Sequence, residues 1–385
     1  MNKLPNGWTE YKLKDLCVIN YGKGLGKSNI VNGNIPVYSS GGIIGFHNTY
    51  NVNSEGVIIG RKGNAGSVFY SDKPFFCIDT AFYIEPNNQY DLKYLFYKLV
   101  SMNLKNHKTG TAIPGLIRND IYKLSISIPP LEEQKRIASA LSKIDAYLEN
   151  TIKLIEEKER FKRGIAKKLL TCKEGENIPE ARFKGFEDEW MEVAISKIGT
   201  IITGNTPSTK NESFWNGNNI WVTPTDIKQK YISNSERKLT DDGLKKSRKL
   251  PANTLLITCI ASIGKNAILK CEGACNQQIN AIIPNKNYNV DFLYYLFENE
   301  KSYLKFKAPQ SVIKIMSKSE FSKLVFKFPL LEEQEKIGEY LSLLDKEIDN
   351  LKKQKELIKE MKRGAMQKLL SGEVRLSKNA FNENI

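Results

Sequence analysis

The residues best equipped for chemistry in this 385-residue sequence lie in loops rich in glycine and cations. One reads Gly60-Arg61-Lys62-Gly63-Asn64-Ala65-Gly66, and another Ser262-Ile263-Gly264-Lys265-Asn266. Such loops let a backbone approach a phosphate closely and offer main-chain NH groups beside cationic side chains. Reading base edges needs forks or amides, which Arg61, Arg118, Arg248, Asn276, Gln277 and Gln278 supply. Lys62, Asn64, Thr109, Lys228, Lys245, Lys246 and Lys265 suit contacts that position a nucleic acid. Any one of them alone reads as an ordinary solvated side chain; as a set they predict a DNA-binding surface.

No catalytic set accompanies them. Gly26-Lys27-Ser28 is like the end of a phosphate-binding P-loop, but Tyr21 stands where that motif needs its first glycine. Ile128-Pro129-Pro130-Leu131 lacks both the leading polar residue and the aromatic of an amino-methyltransferase motif. Neither a Ser-His-Asp set nor paired catalytic carboxylates are evident, so no catalytic residue is assigned. Cys17, Cys77, Cys172, Cys259, Cys271 and Cys275 lack the dense spacing of a disulfide scaffold and are expected to be reduced and mostly buried. Cys271 and Cys275 form one CxxxC pair, far in sequence from His47 and His107, so no metal site is expected. Neither a signal-like run at the start nor a membrane-length apolar stretch is present, which points to the cytoplasm.

The elements that must position these loops come in duplicate. Leu131-Glu132-Glu133-Gln134 recurs as Leu331-Glu332-Glu333-Gln334, and 17 of the 40 positions from 131 to 170 are identical 200 residues later. The matches end in Lys162-Arg163-Gly164 against Lys362-Arg363-Gly364, followed by Leu169-Leu170 against Leu369-Leu370. Trp8, Glu10, Leu13 and Gly22 match Trp190, Glu192, Ile195 and Gly204 at an offset of 182, so the second globular segment has gained about 18 residues. The copies are alike at their edges and divergent in their middles, as two scaffolds contacting different things would be.

Pro129 and Pro329 stop short apolar strands, and the acidic Leu-Glu-Glu-Gln that follows suits a helix start. Ile137, Leu141, Ile144 and Leu148, and Ile337, Leu341, Leu344, Ile348, Leu351 and Ile358, step by four and three along the seam of a coiled coil. Forty residues make a rod of roughly 60 Å. The natural partner for its seam is its own duplicate, and closed pseudo-twofold packing makes the pair antiparallel. The first seam weakens after Leu148, where Thr151, Lys158 and Lys162 fall at positions expected to be apolar. Gly164 and Gly364 mark a bend, an approach by another chain, or a fraying end. Of the net charge of +15, the helices hold +3 (ten basic and seven acidic residues, 131–170) and 0 (nine of each, 331–370), leaving +12 to the globular segments. Strands are expected at Glu55–Ile59, Phe75–Ile78, Ala81–Ile84, Thr254–Thr258 and Ile279–Ile283, and helical patches at Asp91–Leu99 and Asp291–Phe297.

This order of globular segment, long helix, globular segment, long helix resembles the specificity subunit of type I restriction-modification enzymes. The resemblance covers essentially the full length. Its motifs are the Pro-Leu-x-Glu-Gln helix starts and, at the head of the second segment, Pro179, Arg182, Phe183, Gly185, Phe186 and Trp190, similar to the family's P-x-x-R-F-x-G-F-x-x-x-W; Pro5, Gly7 and Trp8 keep part of it at the head of the first.

It implies an α+β fold with two mixed α/β target recognition domains, 1–128 and 172–328, separated by long spacer helices at 129–171 and 329–376 that form an antiparallel coiled coil, with a polar tail at 377–385. It also implies that each domain reads half of a bipartite double-stranded DNA target, and that the chain assembles with two modification subunits and with restriction subunits. Leu131, Glu132, Gln134, Arg163 and Gly164, with Leu331, Glu332, Gln334, Arg363 and Gly364, then become candidate docking residues. S-adenosylmethionine, ATP and Mg2+ would belong to the partner subunits and none to this chain. Two other readings stay open at this point: a coiled-coil scaffold that reads no sequence, and a nucleotide-dependent DNA-modifying enzyme using Gly22 to Ser28.

Overall fold

Both proline-stopped strands and both long helices form as the sequence requires. Strands Ser125–Ile128 and Val325–Phe328 lead into helices Leu131–Leu170 and Leu331–Ser371. The structure, a computed structural model, describes residues 4–107, 115–308 and 315–376, without the side chain of Lys27. Thr109 and the tail 377–385 lie outside the described residues.

The chain folds as two compact units, one of Met1–Lys153 with Lys353–Ile385 and the other of Leu154–Lys352. Each unit therefore holds one globular segment, the N-terminal half of the helix that follows it and the C-terminal half of the other helix. The two helical halves run antiparallel within each unit. In the first, Asp145 pairs with Lys362 and Tyr147 with Gln354; in the second, Lys158 pairs with Glu347 and Lys162 with Asp345. The seam therefore continues past Leu148 by a different chemistry from apolar packing. Thr151 is buried with its hydroxyl donating to the Tyr147 carbonyl, Ile155 is buried, and Lys158 and Lys162 meet carboxylates of the facing helix.

The globular segments repeat one topology. In the first, strands Asn20–Tyr21, Ala81–Ile84, Gly56–Gly60 and Val68–Ser71 form a four-stranded sheet in that order, beside a sheet of Gly42–His47, Ile35–Ser39 and Phe76–Cys77. In the second, Gly199–Thr203, Ile279–Pro284, Thr254–Thr258 and Asn266–Leu269 take the same order, beside Lys238–Leu239, Trp215–Val222 and Gly273–Cys275. In both, the strand before the long helix pairs antiparallel with the strand after the repeated tryptophan, Trp8 or Trp190: Thr9–Lys12 in one and Met191–Ala194 in the other. The longer second segment adds one edge strand, Tyr231–Ile232, parallel to Asn266–Leu269.

Each core runs from sheet through helix into spacer. Val57, Ile59 and Phe82 pack under helix Leu92–Ser101, which packs on Ile137, Leu141, Leu369 and Leu370. The second unit repeats this with Leu255, Ile257 and Ile282, helix Val290–Asn299, Ile337, Leu341, Leu169 and Leu170. The short helices start at Asp91 and Asn289, whose side chains accept from Tyr94 N and Phe292 N and satisfy an otherwise orphaned donor.

Candidate nucleic-acid interface

Three polar locks fix each globular segment to its helices, and they are the same locks twice. Gln134 Nε2 donates to Pro129 O and its Oε1 accepts from Asp91 N, both at 2.9 Å. Gln334 does the same with Pro329 O at 2.9 Å and Asn289 N at 3.0 Å. Tyr97 donates to Asp145 at 2.7 Å, and Tyr295 to Asp345 at 2.5 Å. Glu133 receives Arg375 at 2.5 and 2.6 Å, and Glu333 receives Arg182 at 2.9 and 2.8 Å. Glu133, Gln134, Glu333 and Gln334 are all buried. The repeated Leu-Glu-Glu-Gln is thus an internal clamp, with Gln134 and Gln334 facing inward, Leu131 and Glu132 exposed, Leu331 half-buried and Glu332 exposed.

On this scaffold the loops diverge. In the first unit Gly60 N donates to Ser67 O at 2.7 Å and Gly66 N to Gly60 O at 2.8 Å, closing a tight loop. Gly63 (φ +72°) and Gly66 (φ +84°) make that turn in the left-handed region that glycine enters without strain. Arg61 is pinned at its backbone by Thr80 O and Leu116 N, and its Nη1 donates to Asp79 O at 3.1 Å. Arg118 opens the short helix Arg118–Tyr122 and its Nη1 reaches Ile19 O at 3.4 Å. Both guanidinium carbons lie over the Tyr21 ring, at 4.9 Å for Arg61 and 4.7 Å for Arg118. Lys62 and Asn64 stand exposed on the same loop.

The equivalent surface of the second unit is a hollow of about 610 Å³, lined in part by Thr206, Trp221, Glu236, Arg237, Gln277 and Gln278. Gln277 is exposed and accepts from the Thr206 hydroxyl at 2.5 Å. Asn276 is buried, and its amide donates to Gln278 Oε1 at 2.9 Å, so it positions its neighbour. Arg248 is exposed and braced by Thr203 O at 2.5 Å. The sequence reading missed Arg237, whose guanidinium stacks 3.8 Å from the Trp215 ring centre and 5.2 Å from that of Trp221. Those tryptophans stand 22 and 16 positions away, so only the fold unites the three. Lys228, Lys246 and Lys265 are exposed. Lys245 pairs with Asp242 at 2.9 Å and lines a separate hollow that also holds Asp241 and Glu272, so acids meet its charge.

Gly164 and Gly364 sit inside helices that continue beyond them, so neither marks a fraying end. A Cβ added at either would meet nothing within 4 Å. Arg163 and Arg363 beside them are exposed, as are Phe161 and Met361. Among the described residues no group of three or more His, Cys, Asp or Glu could hold a metal ion, and no helix is long and apolar enough to cross a membrane.

A family profile described as "Type I restriction modification DNA specificity domain" matches residues 5–157 and 187–360. The chain belongs to this type I restriction-modification DNA specificity family. It is a specificity subunit with two DNA-recognition domains, the recognition partner and not the catalytic one. The type I restriction enzyme MjaIX specificity subunit of Methanocaldococcus jannaschii is 36% identical over 180 residues, 45% of this chain and 42% of that protein. The MjaVIII specificity subunit of the same organism is 27% identical over 356 residues, 86% of this chain and 81% of that protein. The fold is also that of the type I restriction-modification S subunit crystal structure from M. genitalium, with a TM-score of 0.64 at 20% identity, covering 95% of this chain and 97% of that one. Two mixed α/β domains with paired long helices, read from the sequence, are therefore the family's architecture.

Proposed function

We propose that each unit of this specificity subunit reads one half of a bipartite double-stranded DNA target. The observation that carries this is the doubling itself: one set of clamps holds two loop surfaces of different chemistry. A recognition subunit that held one sequence fixed would have no use for two divergent surfaces on one scaffold. Arg61, Lys62, Asn64 and Arg118 are the proposed contacts in the first unit, with Lys228, Lys246, Arg248, Lys265, Gln277 and Gln278 in the second. Thr109, Lys245 and Asn276 belong to the same proposal in lesser roles, Asn276 as a positioning residue.

The spacer helices set the gap between half-sites and carry the docking surface for two modification subunits. Arg163 with Gly164 and Arg363 with Gly364 offer a small, open, cationic spot twice, flanked by exposed Phe161 and Met361. S-adenosylmethionine, ATP and Mg2+ are the partners' cofactors, with restriction subunits completing a cytoplasmic complex. The test is to exchange residues 1–128 for those of a relative and to map methylated adenines across a genome. The expected result is a motif changed in one half only; an unchanged motif refutes the proposal.

A further inference from the structure

The two guanidinium groups around Tyr21 are a feature of the first unit alone. Backbone bonds give the equivalences: Leu116 N donates to Arg61 O as Met316 N does to Cys259 O, and Tyr21 pairs with Phe82 as Thr203 pairs with Asn280. Where the first unit has Arg61, Tyr21 and Arg118, the second has Cys259, Thr203 and Lys318, which opens the corresponding short helix. We infer that Arg61 and Arg118 make the first unit a guanine reader at the major-groove edge of its half-site. This rests on the proposed reading of DNA by each unit.

Three observations converge on it. Among the described residues, the arginines that pair with carboxylates are Arg182 and Arg375, so the like charges of Arg61 and Arg118 meet no acid there. Two cations sharing one half-exposed ring repel each other until acceptors arrive. Second, both forks are braced before any ligand binds, by the Tyr21 ring and by the carbonyls of Asp79 and Ile19. A side chain ordered in advance loses less entropy on binding and keeps a fixed orientation. Third, base reading demands a fixed orientation, whereas a phosphate can also be held by a freely moving lysine acting as a point charge. Guanine presents O6 and N7 side by side in the major groove, and the arginine fork spans both acceptors.

The complete complex, this chain with its modification subunits, supplies the test. Wild type, Arg61→Lys and Arg118→Lys are expressed in cells and their methylated motifs mapped. The wild-type half-site that responds to exchange of residues 1–128 should contain guanine. Each lysine variant should relax selection at a guanine by on the order of 10- to 100-fold and leave the other half intact. A half-site without guanine, an unchanged motif in both variants, or uniformly weaker methylation with no relaxed position, which marks a phosphate contact, would each overturn the inference. Exchange that alters the half-site while both lysine variants leave it unaltered would overturn the inference and leave the proposed function standing. A measurement that needs no variant uses duplexes carrying 7-deazaguanine, which lacks the N7 acceptor, in that half-site. The wild-type complex should bind them at least several-fold more weakly; equal binding would overturn the inference.

Discussion

Replacing Arg182 by methionine should destabilise the second unit by about 3–5 kcal/mol, because it strands a buried carboxylate. The Glu333 side chain is 2% exposed and Arg182 13%, with Nε and Nη2 donating to its two oxygens at 2.9 and 2.8 Å. Without Arg182, the described donor left is Trp190 Nε1, 3.3 Å from Oε2, which cannot neutralise the charge. The first unit is the internal control. Glu133 is as buried, at 4%, but Arg375 is 41% exposed, so water can take its place. Arg375→Met is therefore expected at about 1–2 kcal/mol, the range for a hydrogen-bonding partner whose loss solvent can offset. Urea unfolding at pH 7, with amide exchange assigning the loss to a unit, measures both. For a unit of this size, 3–5 kcal/mol corresponds to a Tm drop of roughly 6–20 °C. Replacing Glu333 by methionine as well should recover most of the loss, since the pair as a whole contributes little over apolar packing. A loss below about 1 kcal/mol for Arg182→Met, or an equal loss for Arg375→Met, would refute the reasoning.

Burial pushes the Lys98 ammonium down to about 8 while it donates to the Leu370 carbonyl at 2.6 Å. Between about pH 8 and the ordinary lysine pKa of about 10.4 the unfolded chain binds more protons than the folded one, so this group adds stability as pH rises through that window. Lys98→Met should flatten that limb of the stability curve; an undiminished slope contradicts the assignment. Burial likewise pushes Cys17, Cys77, Cys259 and Cys275 up to about 12, while Cys271 is exposed. Iodoacetamide at pH 8 should therefore modify Cys271 first and reach those four only in denaturant, as peptide mass mapping would reveal. Removing one heptad from the middle of each helix, 150–156 and 350–356, should narrow the gap between half-sites by about 3 base pairs, seven residues rising about 10.5 Å. Methylome sequencing that finds the same gap would sink the spacer role.

The architecture was legible because its signal is long and redundant. Seventeen identities in one ungapped window tie the helices together, and heptad spacing gives their periodicity. The strands Ala81–Ile84 and Thr254–Thr258 were equally readable, as short apolar runs bounded by turns. Strands such as Gly42–His47 and Trp215–Val222 were not: the first carries glycine at two of its six positions, and the second carries glycine or asparagine at four of eight and takes its partners from Lys238–Leu239 and Gly273–Cys275. The lysines at 158 and 162 read as breaks in the seam because a sequence pattern scores apolarity, whereas Glu347 and Asp345 complement them only across an antiparallel pair. Gln134 read as a docking residue because helix starts are usually wet; its partner Asp91 is 43 positions away, and the Arg375 that meets neighbouring Glu133 is 242 away. Arg61 and Arg118 could be named for their chemistry, but the Tyr21 ring that unites them is 40 and 97 positions distant.

The way the units are threaded sets a timetable for synthesis. The second unit is one uninterrupted stretch, Leu154–Lys352, whereas the first needs Lys353 onward to supply Lys362, Leu369, Leu370 and Arg375. From Lys153 to Lys353 the ribosome adds 200 residues, a wait on the order of 10–40 s at bacterial-type elongation rates. The segment made first is thus expected to be finished last, with Ile137 and Leu141 lacking Leu369 and Leu370 throughout that interval. Protease protection of chains truncated at residue 352 and released from the ribosome should therefore appear in the second unit and not in the first, and silent codon changes that slow translation of residues 353–376 should lower yield through the N-terminal half of the protein.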